Sequence, residues 1–245
     1  MKLKTLDRKE IDHFSKDSAD WWNPDGPFKP LHRLNPARIG FLRESIVSHF
    51  GLDDRPIKAL KGISILDIGC GGGLVSEPLA RIGASVTGLD ADAIGIKTAK
   101  AHAKSENLTI EYICGAAEDL AAQNKKFDCV LALEIIEHTS SPEDFVALCS
   151  KLVRKGGIVI FSTLNRTAKS YALGIIAAEY VLRWVPTGTH QWNKFVKPSE
   201  LAELAENSGL TLKDVKGMMF NPLKNEFSIH PHDVDVNYFL VAEKL

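Results

Sequence analysis

Two stretches of the 245-residue chain carry side chains whose types and spacing suit chemistry. The first runs Ile63-Ser64-Ile65-Leu66-Asp67-Ile68-Gly69-Cys70-Gly71-Gly72-Gly73-Leu74-Val75, an apolar run that ends in an acid and a glycine-rich turn. Gly69, Gly71 and Gly73 allow a sharp backbone turn and a closer approach to a ligand than any Cβ permits. A helical period starts at Leu74 and continues through Leu79 and Ile82, so the turn presents free N–H groups and a positive dipole end. A dinucleotide turn reads G-x-G-x-x-G on a pyrophosphate. Here the order is Asp67-x-Gly69-x-Gly71-x-Gly73, and a carboxylate at that point repels a pyrophosphate but suits a ligand carrying an ammonium and a sulfonium. Roughly twenty residues on, Ala84-Ser85-Val86-Thr87-Gly88-Leu89-Asp90 ends in a second acid, placed to accept both hydroxyls of a ribose. The plain alternative is a strand-to-helix turn that needs glycine for packing. The second stretch is Glu134-Ile135-Ile136-Glu137-His138, whose i, i+3, i+4 spacing puts three side chains on one face of a helical turn. Such a set either removes a proton, with His138 as general base, or holds a divalent ion between two carboxylates and an imidazole. The bland reading is a structural histidine beside solvated glutamates.

The elements that must position these residues alternate strand and helix. Residues 5–22 read as a helix with Ile11, Phe14, Ala19 and Trp22 among charges, and Asn23-Pro24-Asp25-Gly26-Pro27 breaks it. A second helix runs to about Phe50. Trp21 and Trp22, followed by an aromatic, basic and proline-rich run, predict a lid over the ligand cleft, with Arg38 or Arg33 as cation for a carboxylate. Helices are expected over Ala93–Ser105, Pro142–Val153 and Ser199–Ser208, and further strands over Leu108–Cys114, Phe127–Leu133, Ile158–Thr163, Leu212–Met219 and Val236–Ala242. The turn Gly115-Ala116-Ala117-Glu118-Asp119 falls at the carboxyl edge, where Glu118 can meet an adenine amino group. The whole predicts an α/β fold with a seven-stranded doubly wound sheet. Its parts are an N-terminal helical cap over 1–50, a core over 51–164, a helical insertion over 165–197 after the fifth strand, and 198–245 completing the same sheet. In the insertion Tyr171, Ile175, Ala178, Leu182 and Val185 share a helical face, with only Glu179 and Arg183 charged between Tyr171 and Val185 and Trp184 nearby. It is too short to span a bilayer. It suits a membrane surface, with Lys169, Arg183, Lys194 and Lys197 near anionic headgroups, or else it covers the substrate pocket or a dimer seam.

Bulk composition narrows the function classes. The chain is 44% hydrophobic, enough for one α/β domain with a good core. With 30 Lys and Arg against 31 Asp and Glu it has no domain-wide positive field, which argues against nucleic acid as a partner. Cys70, Cys114, Cys129 and Cys149 show no C-x-x-C spacing and read as reduced thiols. No signal core or transit pattern stands at the start, and no apolar run reaches the roughly 18 to 20 residues of a transmembrane helix.

Asp67, the glycines and Asp90 together resemble the class I S-adenosylmethionine-dependent methyltransferases. A closer resemblance rests on Asp20-Trp21-Trp22-Asn23-Pro24-Asp25-Gly26-Pro27-Phe28-Lys29-Pro30-Leu31-His32-Arg33-Leu34-Asn35-Pro36, on Glu134 to His138, on Phe161-Ser162-Thr163-Leu164-Asn165-Arg166, on Pro186 to His190 and on Val234 to Tyr238. These segments look like the ubiquinone-biosynthesis O-methyltransferases over nearly the whole chain. The resemblance implies methylation of two ring hydroxyls of polyprenylated precursors, a 2-polyprenyl-6-hydroxyphenol and 3-demethylubiquinol. It implies that Arg38, Gly69, Asp90 and Leu133 contact the cofactor, Leu133 through its apolar side chain. In mitochondrial relatives Glu134, Glu137 and His138 match a magnesium site, so Mg2+ is a second expected cofactor with its need in this chain open. A polyprenyl tail dissolves in the bilayer, so the family weights the insertion toward anionic lipid and the setting toward a bacterial cytoplasmic protein on the inner membrane. A phenol with pKa near 10 is only about 0.1% ionised at neutral pH, a deficit of roughly 4 kcal/mol that a base or a metal must cover.

Three other readings compete. A methyltransferase for soluble catechols would act equally well without a prenyl tail. A non-catalytic scaffold of a quinone-synthesis complex would bind cofactor or lipid without turnover, against which the Glu134-Glu137-His138 triplet speaks. A nicotinamide dehydrogenase is disfavoured by Asp67 before the glycines and is testable by NADH titration.

Overall fold

The computed structural model describes residues 5–7, 10–11, 15–172 and 191–245. Its strands are β1 (Ser64–Ile68), β2 (Ser85–Asp90), β3 (Glu111–Cys114), β4 (Phe127–Leu133), β5 (Val153–Leu164), β6 (Thr211–Asn221), β7 (Glu226–His230) and β8 (Asn237–Glu243). They form one sheet in the order β3-β2-β1-β4-β5-β8-β6-β7. The first five run parallel, and β8, β6 and β7 add antiparallel strands at one side.

A parallel sheet must bury both faces, so its strands are apolar on both sides and helices cover each. Along β1 the period of two sends Ile65 into one core cluster and Leu66 and Ile68 into the other. One face is covered by α1 (Lys29–Phe50), whose Leu42 and Ile46 are fully buried, and by α2 (Ser76–Arg81). The other carries α4 (Ala117–Ala122), α5 (Pro142–Leu152) and α6 (Pro198–Asn207). Between α2 and α4 in the chain, α3 (Ala93–Ser105) packs through Ile96, Ala99 and Ala103 on Tyr112 of β3. Asp92 caps α3 by accepting from the N–H groups of Ile94 and Gly95, and Ser141 caps α5 by accepting from Asp144. Gly51, left-handed at φ 60°, ends α1.

The doubly wound architecture agrees with the sequence pattern, but the sheet has eight strands where seven were expected. The additional one is β7, paired to β6 through Met218↔Ile229 and Phe220↔Phe227. Its five residues alternate too briefly to register as a strand in the sequence. They are held because Phe227 and Ile229 pack beside α1 on the sheet's first face. In the N-terminal segment Ser15 donates to Ile11 O and Ile11 to Asp7 O, followed by a 3-10 turn at Ser18–Asp20. Phe14, the apolar face of Ile175, Ala178, Leu182 and Val185 with Glu179, Arg183 and Trp184, and the stretch Pro186 to His190 lie outside the described residues. Among the described residues no helix is long and apolar enough to cross a membrane.

Candidate active site

The strand order reverses between β1 and β4, so their carboxyl ends open a crevice of the kind that holds ligands in such sheets. A cavity of about 760 Å³ occupies it, near the large end of the range for small-molecule sites. It gathers Arg38, Asp67, Gly69, Gly71, Asp90, Leu133, Glu134, Glu137 and His138. Gly73 and Glu118, expected at the cofactor, are not in its wall.

The glycine turn is held to β2 by N–H donations from Gly69 and Cys70 to Leu89 O, at 2.8 and 3.1 Å. Gly71 sits at φ +51°, and a Cβ there would lie 2.3 Å from the Trp21 ring. The tight approach at this glycine is therefore made by the lid. Trp22 donates from Nε1 to Gly72 O at 2.8 Å and stacks on His102 at 3.5 Å, while Trp21 stacks on Phe28 at 3.7 Å. Gly73 faces the Tyr112 hydroxyl, which a Cβ would meet at 2.2 Å, so this glycine serves packing against β3. Asp90 accepts from the Gly71 and Asp92 N–H groups, both at 2.8 Å, and burial raises its pKa. Asp67 is buried and accepts from Ser76 Oγ at 2.6 Å; desolvation pushes its pKa up to about 6 against the pull of Ser76 and Arg38.

Arg38 is 4% exposed, and its Nε and Nη2 have no hydrogen-bond partner. Its nearest carboxylate, Glu134, stands 3.9 Å away, and desolvation lowers its pKa although Glu134 and Asp67 oppose the shift. A buried guanidinium with unmet donors on a cavity wall is matched to a carboxylate ligand. Arg33, the other candidate, instead reaches Asn225 at 3.2 Å on the surface. Glu118 is engaged by the N-terminal segment: its Oε1 accepts from Thr5 N and Oγ1 at 2.7 and 3.1 Å, pinning that segment to α4. Lys169 and Lys194, expected near lipid headgroups, are paired with Asp233 and Asp235 and with Glu10.

The Glu134-x-x-Glu137-His138 triplet does not share a helical face. Glu134 follows β4 at φ 52°, and only Ile136–His138 form a short 3-10 turn, so each of the three side chains takes its own partners. Glu134 Oε1 accepts from Ser162 Oγ at 2.8 Å and from Asn237 Nδ2 at 3.0 Å. Glu137, buried, accepts from Thr163 Oγ1 at 2.8 Å; burial and the neighbouring Glu134 charge push its pKa up. His138 Nδ1 lies 3.0 Å from Glu10 Oε2, and Glu10 Oε1 lies 2.8 Å from Lys194 Nζ. Burial alone would raise the Glu10 pKa, but Lys194 and His138 bring it below the usual range. Among the described residues no three His, Cys, Asp or Glu side chains converge as a metal site. As oriented, the triplet does not fit Mg2+. Glu10, 128 residues from His138, had no sequence signal beyond a place among the charges of the first helix. Neither did Asn237 as the donor to Glu134.

A methyltransferase domain family matches residues 66–161. A magnesium protoporphyrin IX methyltransferase from Synechocystis PCC 6803, crystallised with bound SAH, shares the fold with a TM-score of 0.69 at 18% identity, covering 98% of this chain and all of that one. Fold and cavity thus define a class I S-adenosylmethionine-dependent methyltransferase. Two curated proteins called ubiquinone biosynthesis O-methyltransferase are similar over almost the full length. The one from Chelativorans sp. is 46% identical over 240 residues, with 98% of this chain and 94% of that protein covered. The one from Maricaulis maris is 48% identical over 242 residues, with the same shares covered. The chain belongs to the ubiquinone biosynthesis O-methyltransferase family.

Proposed function

We propose that the protein methylates ring hydroxyls of polyprenylated phenols, a 2-polyprenyl-6-hydroxyphenol and 3-demethylubiquinol. The observation that carries this reading is a single cavity holding a carboxylate-seeking Arg38, the acids Asp67 and Asp90, and His138. S-adenosylmethionine supplies an electrophilic methyl on its sulfonium. Arg38 Nε and Nη2 bind the cofactor's carboxylate, Asp67 its ammonium and Asp90 its ribose hydroxyls, while Leu133 gives an apolar contact. Trp21 and the lid exclude water. His138 removes the phenolic proton: with Nδ1–H donated to Glu10, Nε2 is the basic nitrogen, and the Glu10 carboxylate stabilises the imidazolium that forms. Taking up the proton as the bond from the phenol oxygen to the methyl forms avoids a free phenolate; general-base catalysis of about a hundred- to ten-thousandfold is worth about 3–5 kcal/mol, the size of the roughly 4 kcal/mol deficit of free ionisation.

The test is methyl transfer from labelled S-adenosylmethionine to a short-tailed 3-demethylubiquinol, run with magnesium and then with a chelator. Turnover that persists in chelator supports His138 as base. Turnover lost with the metal would require Glu134, Glu137 and His138 to leave their present partners. No turnover in either would overturn the reading in favour of a cofactor-binding scaffold.

The prenyl tail also supports peripheral docking on the cytoplasmic face of a bacterial inner membrane, through anionic lipid and the segment 165–197. Changing Ile175, Leu182 and Trp184 to serine is expected to abolish co-sedimentation with anionic liposomes and leave cofactor affinity alone. Retained liposome binding would move the contact elsewhere.

A further inference from the structure

The cavity does not end at the polar site. An apolar arm of its lining lies between α1 and the β6–β7 hairpin, with Leu31 and Leu34 on one side and Met218, Phe220 and Phe227 on the other. The two parts are joined physically: Met218 is the register partner of Asn237, and Asn237 donates to Glu134, which faces Arg38. No charged side chain stands among those five residues. Met218 is unbranched and adaptable, suited to a ligand that is apolar and flexible, while Met219 turns to the other face of the hairpin. At the hairpin turn Asn221 Oδ1 accepts from the N–H groups of Leu223 and Lys224, and Leu223 is 97% exposed. The Arg33–Asn225 hydrogen bond ties the same turn to α1, so the arm has two fixed walls.

We propose that this arm, between α1 and the β6–β7 hairpin, holds the prenyl tail of the acceptor phenol and leads it out past Leu223. The proposal rests on the acceptor class named above and locates its tail. A ring presented to His138 keeps its hydroxyls toward His138 and Glu134, so a long apolar substituent must leave along a wall that offers no polar partner, and the wall that begins at Met218 meets that condition. The arm is continuous with the site, so a tail within it fixes the ring rather than merely tethering the substrate.

The test compares kcat/KM for a tail-less catechol acceptor with that for the same acceptor carrying two prenyl units, in wild type, Phe220→Ser and Phe227→Ser. Wild type is expected to prefer the prenylated acceptor by roughly a hundredfold or more, since every buried CH2 contributes. Both variants are expected to bring that ratio near one. Wild-type ratios in both variants would overturn the proposal. Because the comparison is a ratio within each variant, a general loss of folded protein does not imitate the result. S-adenosylmethionine affinity by calorimetry serves as a check that each variant folds. Direct binding of the prenylated phenol, measured by calorimetry without cofactor turnover, separates the tail site from the reaction. Binding to wild type but not to either variant, with no acceptor methylated, would remove the proposed acceptors and leave the arm as a prenyl site. Equal binding to all three proteins would remove the arm.

Discussion

Arg38 shows how a residue's role is set by what it lacks. A guanidinium this deeply buried, with two nitrogens that make no hydrogen bond, is held for a ligand that completes it. Removing it as Arg38→Met should weaken S-adenosylmethionine binding at least tenfold, the loss of charge-assisted hydrogen bonds of about 1.5–3 kcal/mol, as read by calorimetry. Arg38→Lys should fall between, because an ammonium keeps the charge and loses the planar two-pronged donor. Cofactor affinity unchanged in both would place the carboxylate elsewhere. The sequence marked Arg38 and Arg33 alike, since both precede the same helical face in a basic, aromatic run. Burial separates them, and burial of one arginine over another depends on how α1 is rotated against the sheet.

At the scale of elements, the lid and the glycine turn are one unit. Gly71 is left-handed and lies under Trp21, and Trp22 is anchored on Gly72 and His102. Gly71→Ala adds a methyl where the ring already lies and costs about 1–3 kcal/mol of strain, so it should loosen the lid and raise the cofactor dissociation rate tenfold or more in stopped-flow tryptophan fluorescence. Trp22→Phe keeps an aromatic face for His102 but loses one hydrogen bond worth about 1 kcal/mol, and should raise the same rate several-fold. A dissociation rate unmoved by either would mean that the lid does not gate the site. The helices Ala93–Ser105 and the strand Phe127–Leu133 were legible to the residue because a capped amphipathic period and an uninterrupted apolar run are local signals. The turn at Glu134 was not. Its i, i+3, i+4 spacing has a helical reading, but Glu134 N–H continues the β4–β5 ladder to Ser162 O, and that long-range bond holds the residue outside the helix.

For the molecule as a whole, the buried carboxyls make ligand binding and stability depend on pH in opposite directions. The Asp67 pKa is raised from about 3.8 to about 6, so its contribution to folding is complete below the lower value and is lost as pH rises through the higher one. Asp90 and Glu137 are displaced in the same direction. A bound ammonium and sulfonium favour the charged carboxylate, so the stabilisation given by S-adenosylmethionine should grow over the pH range where the free protein weakens. Near pH 5 roughly nine-tenths of Asp67 is protonated, and affinity should be about tenfold below its value at pH 7.5. Thermal melts with and without cofactor across pH 5 to 8 would show this widening difference, and Asp67→Asn should flatten it. A difference that stays constant in the parent protein would mean that Asp67 does not meet the cation. By itself the sequence determined the doubly wound sheet, the glycine turn with its two acids and the family, because apolar period, glycine and acid at the end of a strand are written in contiguous residues. Only the tertiary structure decided that Glu118 holds Thr5, that Gly73 packs on Tyr112, that Glu10 meets His138 and that an eighth strand extends the cavity with an apolar wall. Those outcomes join segments far apart in the chain, and which side chains meet there depends on how the helices and the hairpin settle on the sheet.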